Sequence, residues 1–424
     1  MTEETLIGLE CIRCGAPAGD APFHAGCPIC AERGRSSNLR TVYDLEKARP
    51  AFEPQALARR AKDMWRYDAL LPFRADEAVS LGEGGTPLVA APRLAERLGL
   101  RAVWVKDESR NPTWSFKDRG NSVAATHARR LGCRALVVSS TGNAAAATAA
   151  YGRRAGIPAI VLMAKSVDPI MSGFVQSYRP YLVKTPTKAD RWVMMKHCVE
   201  AWNCYPAGNY MIPPIGNTPY MIAGYKTMGF EIWEQLGRRA PDWIFGPSGY
   251  SDWLSGIYQG FQELKAMGLA GLPRLAAAEI YGSLSLALKE GSDTVQPAKT
   301  DRPTVAISIS TAQNAYQGLD AVRGSGGTAT QVDDEEILAA QKLWVESEGM
   351  FGETASAAGL AALIRELDEG RVERDAEIVI LLTSTGLKSL GVTGTLDAEV
   401  PLARDVVDLA SILQTTYGFD AKAI

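Results

Sequence analysis

Runs of aliphatic and aromatic residues recur along this chain, each ending in a polar stretch that carries glycine or proline and leads into helical composition. That alternation is the strongest constraint on what the chain can fold into. Residues 102–106 (Ala-Val-Trp-Val-Lys) read as a strand by their β-branched and aromatic content. The stretch Asn111-Pro-Thr-Trp-Ser-Phe-Lys-Asp-Arg-Gly120 follows, extended at Asn-Pro and helical from Asp118 onward. Residues 135–139 read as a buried strand, Ser140-Thr-Gly-Asn143 as a loop, and 144–154 as a helix of small residues. Strands are also expected at 159–163 and 181–184, with a helix over 189–202. Residues 243–252 repeat the strand-and-loop pattern ahead of a helix to about residue 267, and the buried run at 377–383 ends in Ser384-Thr-Gly-Leu-Lys388. Such repetition predicts parallel sheets covered by helices, with a ligand at the carboxyl ends of the strands.

Composition narrows the function. The chain has 424 residues, enough for more than one domain, with 22% charged residues and a net charge of −3. It has no dense basic run for nucleic acid and no apolar run of membrane-spanning length. The start, Met1-Thr-Glu-Glu-Thr, lacks the basic and apolar regions of a secretion signal. A cytoplasmic enzyme with a small-molecule substrate, and neither a nucleic-acid nor a membrane partner, is the expectation.

Lys117 sits at a loop-to-helix junction, where a side chain can face a cleft. A lysine amine becomes nucleophilic when burial or a neighbouring cation lowers its pKa, and Arg119 is a candidate for that cation. A lysine of this kind suits Schiff-base chemistry. The glycine-bearing loops at 140–143 and 246–252 lead into helix starts, whose backbone N–H groups make anion sites.

The stretch around Lys117 resembles the pyridoxal-phosphate lysine motif of the threonine synthase family, members of fold-type II. Further resemblance lies in Leu81-Gly-Glu-Gly-Gly-Thr-Pro-Leu88, Ser140-Thr-Gly-Asn143, the loop at 246–252, Phe351-Gly-Glu-Thr-Ala-Ser-Ala357 and Thr383-Ser-Thr-Gly-Leu-Lys388. It covers roughly residues 80–390. It implies an α/β fold like the tryptophan synthase β chain, with the cofactor between two αβ lobes. The smaller lobe, about 118–226, would be inserted in a larger one built from 80–117 and 227–390, within a catalytic region of 35–424. It implies Lys117 as the cofactor lysine and proton carrier, with Asn143, Ser248, Gly249, Tyr250, Ser251, Thr383 and Ser384 around the cofactor. Thr86, Ser140, Thr141, Gly142, Trp114 and Met221 would lie on the substrate side. A homodimer is a family-level expectation.

Two enzyme readings stay open. The first is threonine synthase, which takes O-phosphohomoserine to threonine and phosphate. The second is a relative performing elimination, serine- or threonine-type deamination or β-replacement on a different, unphosphorylated amino acid. Departures from the family pattern motivate the second. Met221 stands where the family's phosphate-binding arginine falls, Gly216 where a serine is usual, and Trp114 where a small residue is usual. Lys106, Arg110 and Arg179 are candidate substitutes for the lost cation. Tyr250, Asp252 and Trp253 stand where small residues and asparagines are usual in the phosphate loop, and Asp252 would cap the next helix but oppose an anion. A third reading is a non-catalytic regulator, against which stand Lys117, Asn143 and Thr383.

Cys11-x-x-Cys14 and Cys27-x-x-Cys30 form two knuckles twelve residues apart, a spacing that suits four thiolates around structural zinc. A zinc-ribbon-like module over 1–34 is expected, with His24 a bystander. Residues 35–78 mix arginines, aromatics and acids, and read as a solvated helical arm.

Overall fold

Apolar runs that lack a polar face must be buried between layers, and that is where this chain places them. In a computed structural model of the protein the described residues are 5–20, 22–165, 167–300, 302–393 and 400–419. The strands are β1 (Leu6–Cys11), β2 (Leu39–Tyr43), β3 (Leu88–Ala90), β4 (Ala102–Asp107), β5 (Ala135–Ser139), β6 (Ala159–Ala164), β7 (Tyr181–Thr185), β8 (Cys204–Pro206), β9 (Trp243–Pro247), β10 (Arg274–Glu279), β11 (Thr328–Gln331) and β12 (Glu377–Leu382). A four-stranded sheet runs in the order β7-β6-β5-β8, all parallel. A six-stranded sheet runs in the order β11-β10-β9-β12-β4-β3, parallel except for the β3–β4 pair. The fully buried β12 lies inside it, between β9 and β4. The chain thus leaves the larger sheet after β4, builds the smaller one, and returns at β9.

The helices that shape the site are α1 (Lys117–Arg130), α2 (Asn143–Ala155), α3 (Lys188–Trp202), α4 (Pro219–Gln235), α5 (Asp252–Ala266) and α6 (Thr354–Asp368). α1, α4 and α5 pack with very little between them. A Cβ on Gly224 would lie 2.6 Å from the Arg119 carbonyl oxygen, and one on Gly256 3.0 Å from that of Ile222. Glycine at both positions is what lets the three backbones approach so closely.

Residues 35–78 are not a solvated arm. Tyr43, Phe52, Leu57, Met64, Trp65, Tyr67 and Leu70 are all buried. Phe52 and Tyr67 pack on Phe230 of α4, at ring separations of 5.2 and 5.4 Å. Trp65 Nε1 donates to Glu83 and to Ser122 Oγ. The acids that made the stretch look solvated instead neutralise its arginines or cap its turns, as in the Arg60–Asp68 pair. β1 pairs antiparallel with β2, so the N-terminal ribbon is closed by residues beyond 34. Residues 400–419 belong to a second compact unit, which carries α7 (Val406–Tyr417), capped by Asp405.

A charged cluster lies at the root of α1. Arg119, fully buried, donates to both oxygens of Glu108 and of Glu231 at 2.7–2.8 Å. Lys106, also fully buried, donates to Glu231 Oε2 at 2.7 Å and to the Thr86 carbonyl at 2.7 Å. Burial alone would raise the Glu231 pKa, but Arg119 and Lys106 outweigh it and hold the carboxyl well below the usual range. Glu231 therefore contributes stability that is present above its ordinary pKa and lost as pH falls below it. Arg119→Met leaves two buried carboxylates facing one cation. Urea denaturation should show a loss of about 3–5 kcal/mol, and a loss under about 1 kcal/mol would mean the cluster is not under this constraint.

Candidate active site

A cavity of about 480 Å³ opens where the carboxyl ends of both sheets meet. It is lined by segments that follow β4, β5, β6, β7, β8, β9, β10 and β12, and each of these parallel strands delivers its connection to the same side. Lys117, the first residue of α1, lies in its wall. The backbone fixes it there: Ser115 bridges Ser384, and the Phe116 N–H donates to the Thr383 carbonyl at 3.1 Å, so the approach to Lys117 is laced to the end of β12. Lys117 Nζ lies 3.9 Å from Asp252 Oδ2 and 4.4 Å from the centre of the Phe116 ring. Burial lowers its pKa, while Asp252 and then Glu353 pull it partly back. Arg119 plays no part in that shift, because both of its carboxylate partners lie in the cluster below.

Asn143 opens α2 with its amide fully engaged. Nδ2 donates to both Glu353 oxygens, and Oδ1 accepts from Ser384 Oγ at 3.1 Å and Lys388 Nζ at 2.7 Å. Lys388 also donates to the Thr113 carbonyl. Burial brings its pKa down to about 8, against the pull of Glu353 and Asp118. Ser140, Thr141 and Gly142 line the cavity beside Asn143. Neither α2 nor α5 has a side-chain cap, so the leading N–H groups of both are available to an anion.

Other expected site residues fall elsewhere. Of residues 248–251 only Tyr250 lines the cavity. The hydroxyls of Ser248 and Ser251 bond each other and Asn314, and Ser251 is held in the left-handed region at φ 61°. Gly249 packs against Thr311. Thr383, buried, bonds Ser356 Oγ at 2.7 Å. Thr86 is claimed by the charged cluster, donating to Glu108 at 2.6 Å, and does not reach the cavity. Met221 is fully buried in the core of the smaller sheet, because its apolar side chain lies on the packed face of α4. Trp114 does not narrow the site. Its left-handed backbone, φ 59°, leaves the ring half exposed and stacked on Phe174 at 5.1 Å.

Lys106 is spent in the cluster and Arg110 pairs with Asp107, so neither supplies a cation to the cavity. Arg179 also lies outside the cavity lining, its backbone in the left-handed region at φ 52°. Asp252 does not cap α5; Oδ1 accepts from the Asn217 N–H at 2.8 Å and from Gln317 Nε2 at 2.9 Å. Arg191, Trp192, Glu353 and Lys388 line the cavity without having been assigned roles from the sequence. Glu353 and Lys388 each lie in a stretch that resembles a family motif, 351–357 and 383–388. Arg191 and Trp192 sit in a helix whose sequence carries no such mark.

The four knuckle cysteines converge. Their sulfurs lie within 4.8 Å of one another, with Cys11–Cys30 at 3.7 Å and Cys14–Cys27 at 3.8 Å. Tetrahedral thiolates at zinc lie about 3.8 Å apart, so the donor set fits a metal ion. His24 stands apart from it and meets the Tyr210 hydroxyl at 2.7 Å. A larger cavity, about 650 Å³, lies near Arg60, Phe73 and Arg130, contains none of these groups, and has those two arginines paired.

A half-buried lysine with a lowered pKa and two uncapped helix starts, gathered at the carboxyl ends of the parallel strands of two sheets, fit a pyridoxal phosphate group and define a fold-type II enzyme. The family described as "Pyridoxal-phosphate dependent enzyme" matches residues 79–384. Maize serine racemase superposes with a TM-score of 0.61 at 21% identity, over 78% of this chain and 92% of that one. A fungal L-serine ammonia-lyase from Rhizomucor miehei gives 0.60 at 21%, over 71% and 93%. At that identity these two share the fold. The threonine synthase of Methanosarcina acetivorans is 36% identical over 387 residues, 90% of this chain and 92% of that one. The enzyme of Methanocaldococcus jannaschii is 35% identical over 359 residues, 82% and 86%. The chain belongs to the threonine synthase family.

The environment of Lys117 makes a checkable demand. Treating the apoprotein with pyridoxal phosphate and then borohydride should place the adduct on Lys117. The labelling rate should fall as pH drops through a midpoint below the ordinary lysine value of about 10.4. Asp252→Asn removes a carboxylate that favours the charged amine, so the midpoint should move lower still. An adduct on another lysine, or an upward move in the variant, would contradict this account.

Proposed function

We propose that the chain is a threonine synthase, converting O-phosphohomoserine to threonine and phosphate. The observation that carries the reading is Lys117 in the cavity wall with Asn143, in a chain so similar over its length to threonine synthases. When bound, pyridoxal phosphate supplies the electron sink that makes protons next to the substrate's amine-bearing carbon removable. Lys117 is assigned as its attachment point. The N–H groups at the start of α5 and the loop with Ser248, Gly249, Tyr250 and Ser251 are assigned to its phosphate. Asn143, Thr383 and Ser384 are assigned to its ring.

Threonine carries its hydroxyl on Cβ, whereas the phosphate leaves from Cγ. Protons must therefore leave and return at neighbouring carbons. Lys117, whose pKa burial lowers, is the group able to accept and return them. Ser140, Thr141 and Gly142, with the uncapped start of α2, suit the substrate carboxylate. Cytoplasmic placement is supported by the free thiols of Cys133, Cys198 and Cys204, which suit a reducing compartment. Homodimer assembly is proposed on family grounds, and the cysteine cluster is assigned structural zinc.

One observation favours a second reading. Met221 lies in the core and Lys226 pairs with Glu263 at 2.7 Å, so α4 offers no cation to a substrate phosphate. A relative that deaminates or eliminates from an unphosphorylated amino acid would need none.

Threonine and inorganic phosphate released in equal amounts from O-phosphohomoserine support the first reading, and Lys117→Ala should lower the rate at least about 10³-fold. Release of 2-oxobutanoate or pyruvate with ammonia from threonine or serine, without turnover of the phosphate ester, selects the second. Elemental analysis should find about one zinc per chain, lost on Cys27→Ser; a metal-free, fully folded protein would remove the zinc assignment.

A further inference from the structure

Among the described residues, three cations line the cavity: Lys117, Lys388 and Arg191. Lys117 faces Asp252, and Lys388 is held by the Asn143 side chain and the Thr113 carbonyl. Arg191 differs. It lies in the first turns of α3, four residues beyond the capping residue Thr187, and is only 7% exposed. Its Nε is shut off from solvent with no acceptor, and among the described residues no carboxylate, hydroxyl or carbonyl bonds its guanidinium. Arginine keeps its charge at any physiological pH. A buried charge without a counter-charge is strongly unfavourable, and here the open side is the cavity itself.

We propose that Arg191 is the anchor for a distal anionic group on the amino-acid substrate. In the threonine synthase reading, on which this deepening rests, that group is the phosphate ester. The placement favours the distal end. The uncapped starts of α2 and α5 offer separate N–H sites for the substrate carboxylate and for the cofactor phosphate. Arg191 enters from the first turn of α3, beside Trp192, whose ring lies 6.2 Å from that of Tyr250. The carboxylates that line the cavity, Asp168, Asp252 and Glu353, are each bonded by N–H donors other than Arg191: Ile170 and Met171, Asn217 and Gln317, and Asn143. A planar guanidinium can engage phosphate through two parallel N–H bonds, so one residue suffices for both orientation and charge.

The test compares two unreactive ligands on the holoenzyme. 2-Amino-5-phosphonopentanoate has the length of the phosphate ester and carries a distal dianion; 2-aminopentanoate lacks it. Binding is followed by calorimetry and by the absorbance of the bound cofactor. In Arg191→Met the phosphonate should bind at least about 30-fold more weakly, while 2-aminopentanoate stays within about threefold of wild type. Arg191→Lys should recover part of the loss. Circular dichroism and cofactor content report whether the variant is folded and loaded.

An unchanged phosphonate affinity overturns the proposal. So does an equal loss for both ligands. Separate titration of apoprotein with pyridoxal phosphate and with pyridoxal isolates the other phosphate source: a loss confined to pyridoxal phosphate would assign Arg191 to the cofactor and overturn the proposal. A wild type that discriminates between the two ligands through Arg191, yet turns over no O-phosphohomoserine, supports the anchor while sinking the threonine synthase reading.

Discussion

Two glutamates, an arginine and a lysine meet out of water below the cavity, and the position of Lys117 depends on their charge balance. Lys106 comes from β4, Glu108 from the turn after it, Arg119 from α1 and Glu231 from α4. The Gly85 N–H joins them, donating to Glu231 at 2.8 Å. Arg119 lies two residues beyond Lys117 in the same helical turn, so holding one holds the other. A buried ion cluster is weak evidence for net stability, since apolar groups of similar volume can pack as well. What apolar groups would not do is set the mutual orientation of these segments. Each donor here has a matched acceptor, so a rotated or shifted helix would strand a buried charge.

The amine above that cluster is tuned by subtraction. Burial disfavours its charged form, and two carboxylates in the same cavity would by themselves restore it. Each carboxylate is already committed. Glu353 receives both of its bonds from Asn143, and Asp252 receives bonds from Asn217 and Gln317. Their negative charge is shared with donors other than Lys117, so burial prevails. The same Asn143 amide is turned by Ser384 and Lys388 from the end of β12, so the strand that supports Lys117 also orients its neighbour.

The strand-and-loop alternation, the position of Lys117 at a helix start and the convergence of the four cysteines could all be read from residue order, because each is set by local pattern. What failed was orientation. Thr86 and Met221 occupy motif positions that point to the substrate, yet one is captured by a carboxylate and the other faces the core. A motif fixes where the backbone goes; the side chain follows whichever partner is nearest in space. Residues 35–78 misled for a related reason. Their arginines and acids are interleaved in sequence, and only the fold shows that they pair with each other and with Glu234 of α4 while the aromatics go inward. The charged cluster could not be seen at all, since Arg119 and Glu231 lie 112 positions apart.

The departures from the family pattern also form one connected arrangement. Asp252 stands where a small residue or an asparagine is usual, and its charge is taken up by Gln317 Nε2 and the Asn217 N–H. Gln317 can reach it because residue 216 is glycine. A Cβ there would lie 2.1 Å from Gln317 Nε2, and the backbone at φ 98° favours glycine in any case. Asn38, next to the cysteine ribbon, donates to the Asn217 carbonyl at 2.8 Å and to Gln317 Oε1 at 3.1 Å. The ribbon is tied to that point, since the Cys27 N–H bonds the Ser37 carbonyl and the Ile12 N–H bonds that of Asn38. An aspartate in the loop and a glycine in place of serine are thus joined to the N-terminal ribbon in one bracing path that ends 3.9 Å from the Lys117 amine. Reverting Asp252 or Gly216 alone would leave a buried polar group without its partner or force two atoms into the same space, which is why these two departures belong together.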